Sequence, residues 1–430
     1  MLTTYQEGFA ETRNPSRGAA MRSRFDLFCG FSQIEVEGYL PPEAELFNNL
    51  IRQIQLADEL GFGTAWVGGA HFSLIDQNKR PDAPLPHFQG EMSLNTDILP
   101  LSQHLFAKTK RIAIGSAIRN ILTAGGPVAH AEAVRTALTW HQLSEHRHRR
   151  IELGYGAGRL DYANRAFGIH PRSYIEEMAW PLLRPLIFRQ ASEIFLRLLR
   201  GDAVSSQDIQ PLVLIKSACN DPQLWSRLQN QRETPTETLE FPNFWNFDRL
   251  KIIPADTPLD ALTLTLGSQD PQTQIEANQI LPTRVFNLSI TPPAIIEETH
   301  QRMKTFYHPA DGPWKRGYMP RTVMVFVNND RSLSPTSQSI LAKERARNAI
   351  AAYQRAMFGT VDESKLSAGV SNTIAGNPQE VAISLVQRFH PEDRLMLWFD
   401  FNDHNTHRVE ESMIAFTTHV QPLIEEFSHV

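Results

Sequence analysis

His71 is the residue of this 430-residue chain best placed to do chemistry. It follows the apolar run Ala65-Trp66-Val67 and the glycines Gly68 and Gly69, so it stands just past a strand end. Imidazole titrates near neutral pH and passes protons at a reacting centre; the plainer role for such a residue is to orient its loop. Glycines mark other strand ends, in Gly115-Ser116-Ala117, Gly154-Tyr155-Gly156 and Gly267-Ser268-Gln269. Without a Cβ they let backbone amides approach a flat ring or a phosphate, although a lone strand-end glycine more often marks a turn. Ser268, Gln269 and Thr273 lie where a strand hands over to a helix, whose N-terminus favours an anion. Arg159 either adds a positive charge near such a site or is a solvated loop residue. Trp398 and His404, at and after the last apolar run, are the candidate substrate contacts. The 15 histidines include no HExxH or comparable spacing, so no metal centre is expected.

Eight apolar runs read as buried parallel strands, at 25–29, 65–67, 111–117, 150–155, 262–267, 284–288, 322–327 and 394–399. Between most of them lie windows of helical spacing, such as Leu46, Leu50, Ile54, Ala57 and Leu60 ahead of Gly61, or Ile187, Ile194, Phe195, Leu198 and Leu199 ahead of Gly201. The alternation predicts an α/β fold, and the count predicts a single eight-stranded (β/α) TIM barrel with its reactive face at the C-terminal ends of the strands. The rival architecture, a doubly wound open sheet, lacks its Gly-rich fingerprint after the first strand, where Gly30-Phe31-Ser32-Gln33 carries one glycine.

Two stretches exceed ordinary barrel connections. Residues 205–258, rich in Gln, Pro, Asn and aromatics, read as an insertion at or near the mouth of the barrel. After a predicted helix from Ser339 to Met357 comes a candidate lid over 358–377, with Gly359, Gly369 and Gly376 as hinges. Residues 1–22 carry no apolar period and read as a flexible N-terminal arm ahead of one domain, 23–430.

A net charge of −5 and a pI near 6.3 leave no basic field for a phosphate backbone, so nucleic acid is not an expected partner. No run of about 18 apolar residues occurs, and residues 1–21 lack an apolar core, so neither a membrane span nor a signal peptide is expected. Cys29 and Cys219 are too few for a disulfide framework, which suits a cytoplasmic location.

Several segments, in order, resemble the bacterial luciferase-like flavin monooxygenases. Leu60-Gly61-Phe62, Trp66 and His71-Phe72 are similar to the second strand of that family, which reads LGF, a Trp, then Glu-His-His-Phe; Gly69 and Ala70 stand where the Glu and first His are expected, and His71 matches the second His. Pro127-Val128-Ala129-His130-Ala131-Glu132 fits PVxxAE, and Leu143-Ser144-Glu145-His146-Arg147 resembles LSxGR. Gly154-Tyr155-Gly156-Ala157-Gly158 is similar to GxxRG, with Ala157 in place of the arginine that grips the flavin phosphate. Ala375-Gly376-Asn377-Pro378-Gln379-Glu380-Val381-Ala382 resembles GTPxEVA, and Glu411-Ser412-Met413, Phe416 and Val420-Gln421-Pro422 follow the last helix. The resemblance covers most of 23–427 apart from the insertion.

It implies a TIM barrel that uses reduced FMN, supplied by a separate flavin reductase, and oxygen to oxidise a small organic substrate. It also implies flavin contacts at Ser116, Ala117, Gly154, Tyr155, Gly156, Arg159, Ser268, Gln269 and Thr273, with His71 as the proton-transfer candidate and Ser268, Gln269 and Thr273 at the phosphate. A homodimer follows from the family's early helices, where Val128, Ala131, Val134, Ala137 and Leu138 form an apolar stripe. The departures at Gly69, Ala70 and Ala157 keep two alternatives open: a deazaflavin-dependent oxidoreductase on the same barrel, and a non-catalytic flavin-binding subunit. The substrate leaves no legible mark.

Overall fold

A computed structural model describes residues 24–73, 87–230, 236–358 and 371–428. All eight predicted strands form: β1 (Phe25–Cys29), β2 (Thr64–Val67), β3 (Ala113–Asn120) and β4 (Ile151–Gly156), then, past the insertion, Leu262–Leu266, Thr283–Val285, Arg321–Val327 and Leu395–Trp398. The insertion adds two strands that the sequence did not announce, β5 (Leu212–Ile215) and β6 (Thr238–Phe241), so the later barrel strands are β7 (Leu262–Leu266), β8 (Thr283–Val285), β9 (Arg321–Val327) and β11 (Leu395–Trp398). A three-residue β10 (Ile374–Gly376) pairs on the outside of β9. The parallel row runs β9-β11-β1-β2-β3-β4-β7-β8. Its two ends meet in the parallel bridge Asn287–Arg321, where Asn287 N donates to Pro320 O (2.9 Å) and Thr322 N to Asn287 O (3.2 Å).

Helices alternate with the strands. α1 (Glu43–Leu60) stops at Gly61, whose φ of 85° is left-handed and suits a residue without a Cβ. α2 (Ile98–Lys108), α3 (Gly126–Leu143), α4 (Asp161–Arg165) and α5 (Tyr174–Arg200) follow; the last ends at Gly201, as the spacing predicts. α6 (Pro222–Gln229) lies in the insertion, and α7 (Pro271–Ile280), α8 (Pro293–Phe306) and α9 (Pro335–Met357) complete the wall, with three shorter helices closing the chain.

Side chains on a strand alternate between faces. Leu27, Leu153, Tyr155, Leu264, Val323, Val325, Leu395 and Leu397 point outward into one apolar core shared with the helices. Their neighbours point into the barrel in layers. The lowest layer is ionic: Arg394 lies 2.7 Å from Asp26 and donates to both oxygens of Glu152 at 2.8 Å, while Thr64 N and Trp66 Nε1 donate to Asp26 at 3.0 and 2.8 Å. Above it, Phe28, Trp66, Phe286 and Met396 form an apolar floor.

Polar bolts tie strands to helices. At the end of α1, Asp58 accepts from the backbone N–H of Lys110, Arg111 and Ile112, each at 2.7 Å. Burial raises its pKa, but the three donors outweigh burial and hold it below the usual carboxylate range. A depressed carboxyl adds stability above its unfolded pKa that is lost as pH falls through its folded value. Asp58→Ala is expected to cost about 2 kcal/mol at neutral pH in urea denaturation, a gap that narrows below about pH 4; a gap that is constant down to acid pH would refute the assignment.

The turn from His146 to Arg150 buries one of its arginines, Arg149. That side chain is 3% exposed, lies over the Phe106 ring at 4.5 Å and donates to Phe106 O (3.0 Å) and Thr109 O (2.9 Å). Burial draws it down to about 10, still a cation at neutral pH. The insertion is a hairpin with one helix seated on α5: the Arg172 guanidinium covers Phe244 at 3.8 Å, and Gln190 Nε2 donates to Gln210 O (2.7 Å) and Asn243 Oδ1 (2.8 Å). It approaches the C-terminal face through Trp245, whose indole nitrogen stands where a Cβ on Gly126 would fall, 2.7 Å away. The arm at 1–22 and residues 359–370 of the candidate lid lie outside the described residues.

Candidate functional site

At the C-terminal ends of the strands opens a cavity of about 690 Å³. Of the residues singled out from sequence, His71, Ser116, Ala117, Gly156, Arg159 and Trp398 line it. The others do not. Tyr155 is fully buried and points away, into Phe188, Phe195 and Ser192 of α5, because Gly154 and Gly156 on either side of it face inward. Gly154 packs on β3, where a Cβ would fall 2.2 Å from Ser116 O. Ser268 Oγ accepts from Asp270 N (3.2 Å), and Gln269 Nε2 donates to Phe286 O and Asn287 Oδ1, both at 3.1 Å. Thr273 donates N–H and O–H to the Asp270 carboxylate, which Arg189 also pairs at 3.1 Å. The start of α7 therefore already holds an anion. His404 sits in a separate small polar cavity, its Nε2 2.6 Å from Ile34 O.

The strand-end glycines have a packing explanation. A Cβ on Gly267 would fall 2.3 Å from Ile118 Cδ1, and one on Gly156 would fall 3.2 Å from Ile118 Cγ2, so these glycines make room for Ile118 beneath the cavity. The β3–β4 register shifts between Ser116 and Arg119, and the Ala117–Ile118 peptide is cis.

Besides Arg159 the cavity holds a second cation, the buried Arg119, which the sequence did not announce. Its side chain is 8% exposed, lines the cavity and pairs with Asp97. Asp97 in turn caps α2 by accepting from Leu99 N (2.9 Å). Arg119 Nε donates to His130 Nδ1 (2.8 Å), so the other ring nitrogen, Nε2, is the one that donates to Thr123 O (2.9 Å). Burial first, then the Arg119 charge, pull His130 down to about 3, which keeps it neutral and an acceptor. Three of the five guanidinium N–H groups are used in this brace, and two are left for a ligand.

His71 is half-buried beside this group, and burial, then Arg119, lower its pKa while Asp97 opposes them; the ring is neutral at working pH. Its loop is pinned by Ala70 N to Asn95 O (3.1 Å) and by Asn95 Nδ2 to Gly68 O (3.1 Å). The next residue, Phe72, is 52% exposed with φ +62° and stacks on Phe167 at 5.7 Å. At Ala157 the loop is held by Asn164 Nδ2 to Ala157 O (3.0 Å) and Asn120 Nδ2 to Asn164 Oδ1 (2.6 Å). Among the described residues, no three His, Cys, Asp or Glu side chains cluster as metal ligands, and no helix is long and apolar enough to cross a membrane.

Comparison with known proteins agrees with this architecture. Residues 27–207 match the family model of the luciferase-like monooxygenases. The monooxygenase RslO1 from Streptomyces bottropensis has a similar structure, with a TM-score of 0.61 at 17% identity over 93% of this chain and 99% of that one. The FMN-bound oxygenating constituent of 3,6-diketocamphane monooxygenase from Pseudomonas putida superposes with a TM-score of 0.53 at 13% identity, over 94% and 99% of the two chains. An F420-dependent secondary alcohol dehydrogenase gives 0.53 at 14% identity over the same shares. No curated protein matches the chain in sequence. The chain is thus similar to the luciferase-like monooxygenases over residues 27–207, and its parallel α/β architecture is the fold of these solved structures.

Proposed function

We propose that the chain is a flavin-dependent monooxygenase that binds reduced FMN, delivered by a separate reductase, in the 690 Å³ cavity and oxidises a small organic substrate with oxygen. The observation that carries this reading is the braced Arg119 cation at the mouth of a strand-end cavity large enough for a ring system, a combination suited to an anionic, flat cofactor. The residues fit such a group. Arg119 and Arg159 supply positive charge, Asn95, Asn120 and Ser116 supply polar edges, and Ile118 supplies an apolar support. When bound, reduced flavin supplies the electrons that activate oxygen. The neutral His71 ring takes or returns a proton at its unprotonated nitrogen, and the aromatic wall keeps water out.

Anaerobic titration with reduced FMN, followed by admission of air, tests the reading. Saturable binding and a transient absorbance distinct from oxidised FMN are expected. Binding with oxidation at the rate of free flavin would favour a non-catalytic flavin-binding subunit; no FMN binding, with reduced F420 bound instead, would favour the deazaflavin oxidoreductase.

A homodimer belongs to the same proposal. On α3, Ala131, Val134 and Leu138 are buried in the shared core, which leaves Trp140 and Leu143, 66% and 75% exposed, for a second copy. Light scattering is expected to return twice the 48.8 kDa chain mass, and Trp140→Glu to lower it; a wild-type mass of one chain would end the idea.

A further inference from the structure

We propose that the sector of the cavity formed by β1, β9, β11 and α9 is a substrate subsite for an uncharged, flat aromatic ring compound. This assignment rests on the reading of the cavity as the flavin site and names what shares it. The barrel order β9-β11-β1-β2-β3-β4 divides the wall in two. Arg119, His71, Asn95, Asn120 and Arg159 all come from the β2 to β4 side. The other side is Phe28, Met324, Ile350, Tyr353, Trp398 and Phe401, and among the described residues that line this sector no side chain is charged.

Its rings form a continuous chain. Phe28 and Trp398 have centroids 4.5 Å apart, Trp398 meets Phe401 edge-on at 4.7 Å, and Phe401 meets Tyr353 at 5.4 Å. The indole is held in place from behind. A Cβ on Gly30 would fall 2.4 Å from Trp398 Cζ2, so the ring lies directly on that glycine, and its N–H lies beside the Asp400 carboxyl, away from the charged sector. A fixed aromatic wall offers faces and edges to another ring, whose quadrupole complements them, whereas an alkyl chain gains contact area alone. A carboxylate or ammonium in this sector would be stripped of water with no partner, which disfavours charged compounds. Gln354, Ser289 and Thr322 give the sector a few neutral hydrogen-bonding groups, enough to orient a ring bearing an uncharged polar substituent.

Calorimetric titration of the full chain with three probes, with and without saturating FMN, tests this. Naphthol is flat and uncharged at neutral pH, naphthoate is the same ring system with a charge, and decanol is uncharged but flexible. Naphthol is expected to bind about tenfold more tightly than either of the others, both with and without FMN. Trp398→Leu and Phe401→Leu, which keep the wall apolar, are each expected to weaken naphthol about fivefold or more. Equal affinity for the three probes, naphthol binding untouched by both folded variants, or competitive displacement of naphthol by FMN would each overturn the proposal. The two readings fail separately: naphthol bound as stated with no FMN binding sinks the flavin assignment alone, and FMN bound without naphthol sinks this one alone.

Discussion

Arg394→Met is expected to destabilise the protein by about 3 to 5 kcal/mol in urea denaturation at neutral pH, the range for breaking a buried ion pair on one side. Arg394 pairs with both Asp26 and Glu152 in the ionic layer under the cavity, and all three side chains are under 10% exposed. Methionine fills much the same volume, so the loss would report charge rather than a cavity. Burial already pushes the Asp26 carboxyl up, to about 6, against the opposing pull of Arg394. Without that cation the folded-state pKa rises further. A carboxyl whose folded pKa exceeds its unfolded value is penalised most at high pH, and the penalty is relieved as pH falls towards the unfolded value. The variant should therefore regain part of its deficit as pH falls from about 7 to 5, and Asp26→Asn added to Arg394→Met should restore part of it at pH 7. A loss below about 1 kcal/mol would mean that the layer is wet or that its charges are compensated elsewhere.

The eight strands were legible because each carries an outward apolar half that must bury against helices, as in Leu27, Leu153, Leu264, Val323 and Leu395. The ionic layer was not, since Arg394 opens its run and reads as a polar flank of the strand. The hairpin at β5 and β6 escaped because two four-residue strands in a Gln- and Pro-rich stretch give no sustained period. In the site, residues placed by strand-end position alone, such as His71, Ser116 and Trp398, do line the cavity. Tyr155 does not, and the period of two between Gly154 and Gly156 already implied its outward direction. Asp270 before Pro271 is a helix N-cap signature, and it explains why Thr273 donates to a carboxylate within the chain, while Ser268 Oγ accepts from the Asp270 backbone N–H. Arg119, Asp97 and His130 come from β3, the start of α2 and α3; no local motif joins them, and they meet because these consecutive elements pack side by side.

That brace carries the largest functional prediction. Arg119→Met is expected to weaken FMN binding about 10- to 100-fold, the equivalent of a lost charge-assisted hydrogen bond of about 1.5 to 3 kcal/mol. The variant also loses the donor to His130 Nδ1 and the pair with Asp97, so its stability should fall too and affinity is read on protein shown to be folded; an FMN affinity within about twofold of wild type would remove Arg119 from the site. His130 decides how long the brace survives acid. Its ring must stay neutral to accept from Arg119 Nε, and burial with the Arg119 charge holds its pKa near 3. A histidine depressed in the folded state favours folding above its unfolded pKa, and that advantage is lost as pH falls below it, because the unfolded ring takes a proton first. From about pH 6.5 to 5 the wild type should lose about 2 kcal/mol through this residue, at about 1.4 kcal/mol per pH unit. His130→Asn keeps an acceptor for Arg119 but cannot titrate, so its stability should fall less over the same interval. Parallel decline of the two proteins would show that His130 is not the neutral partner of Arg119.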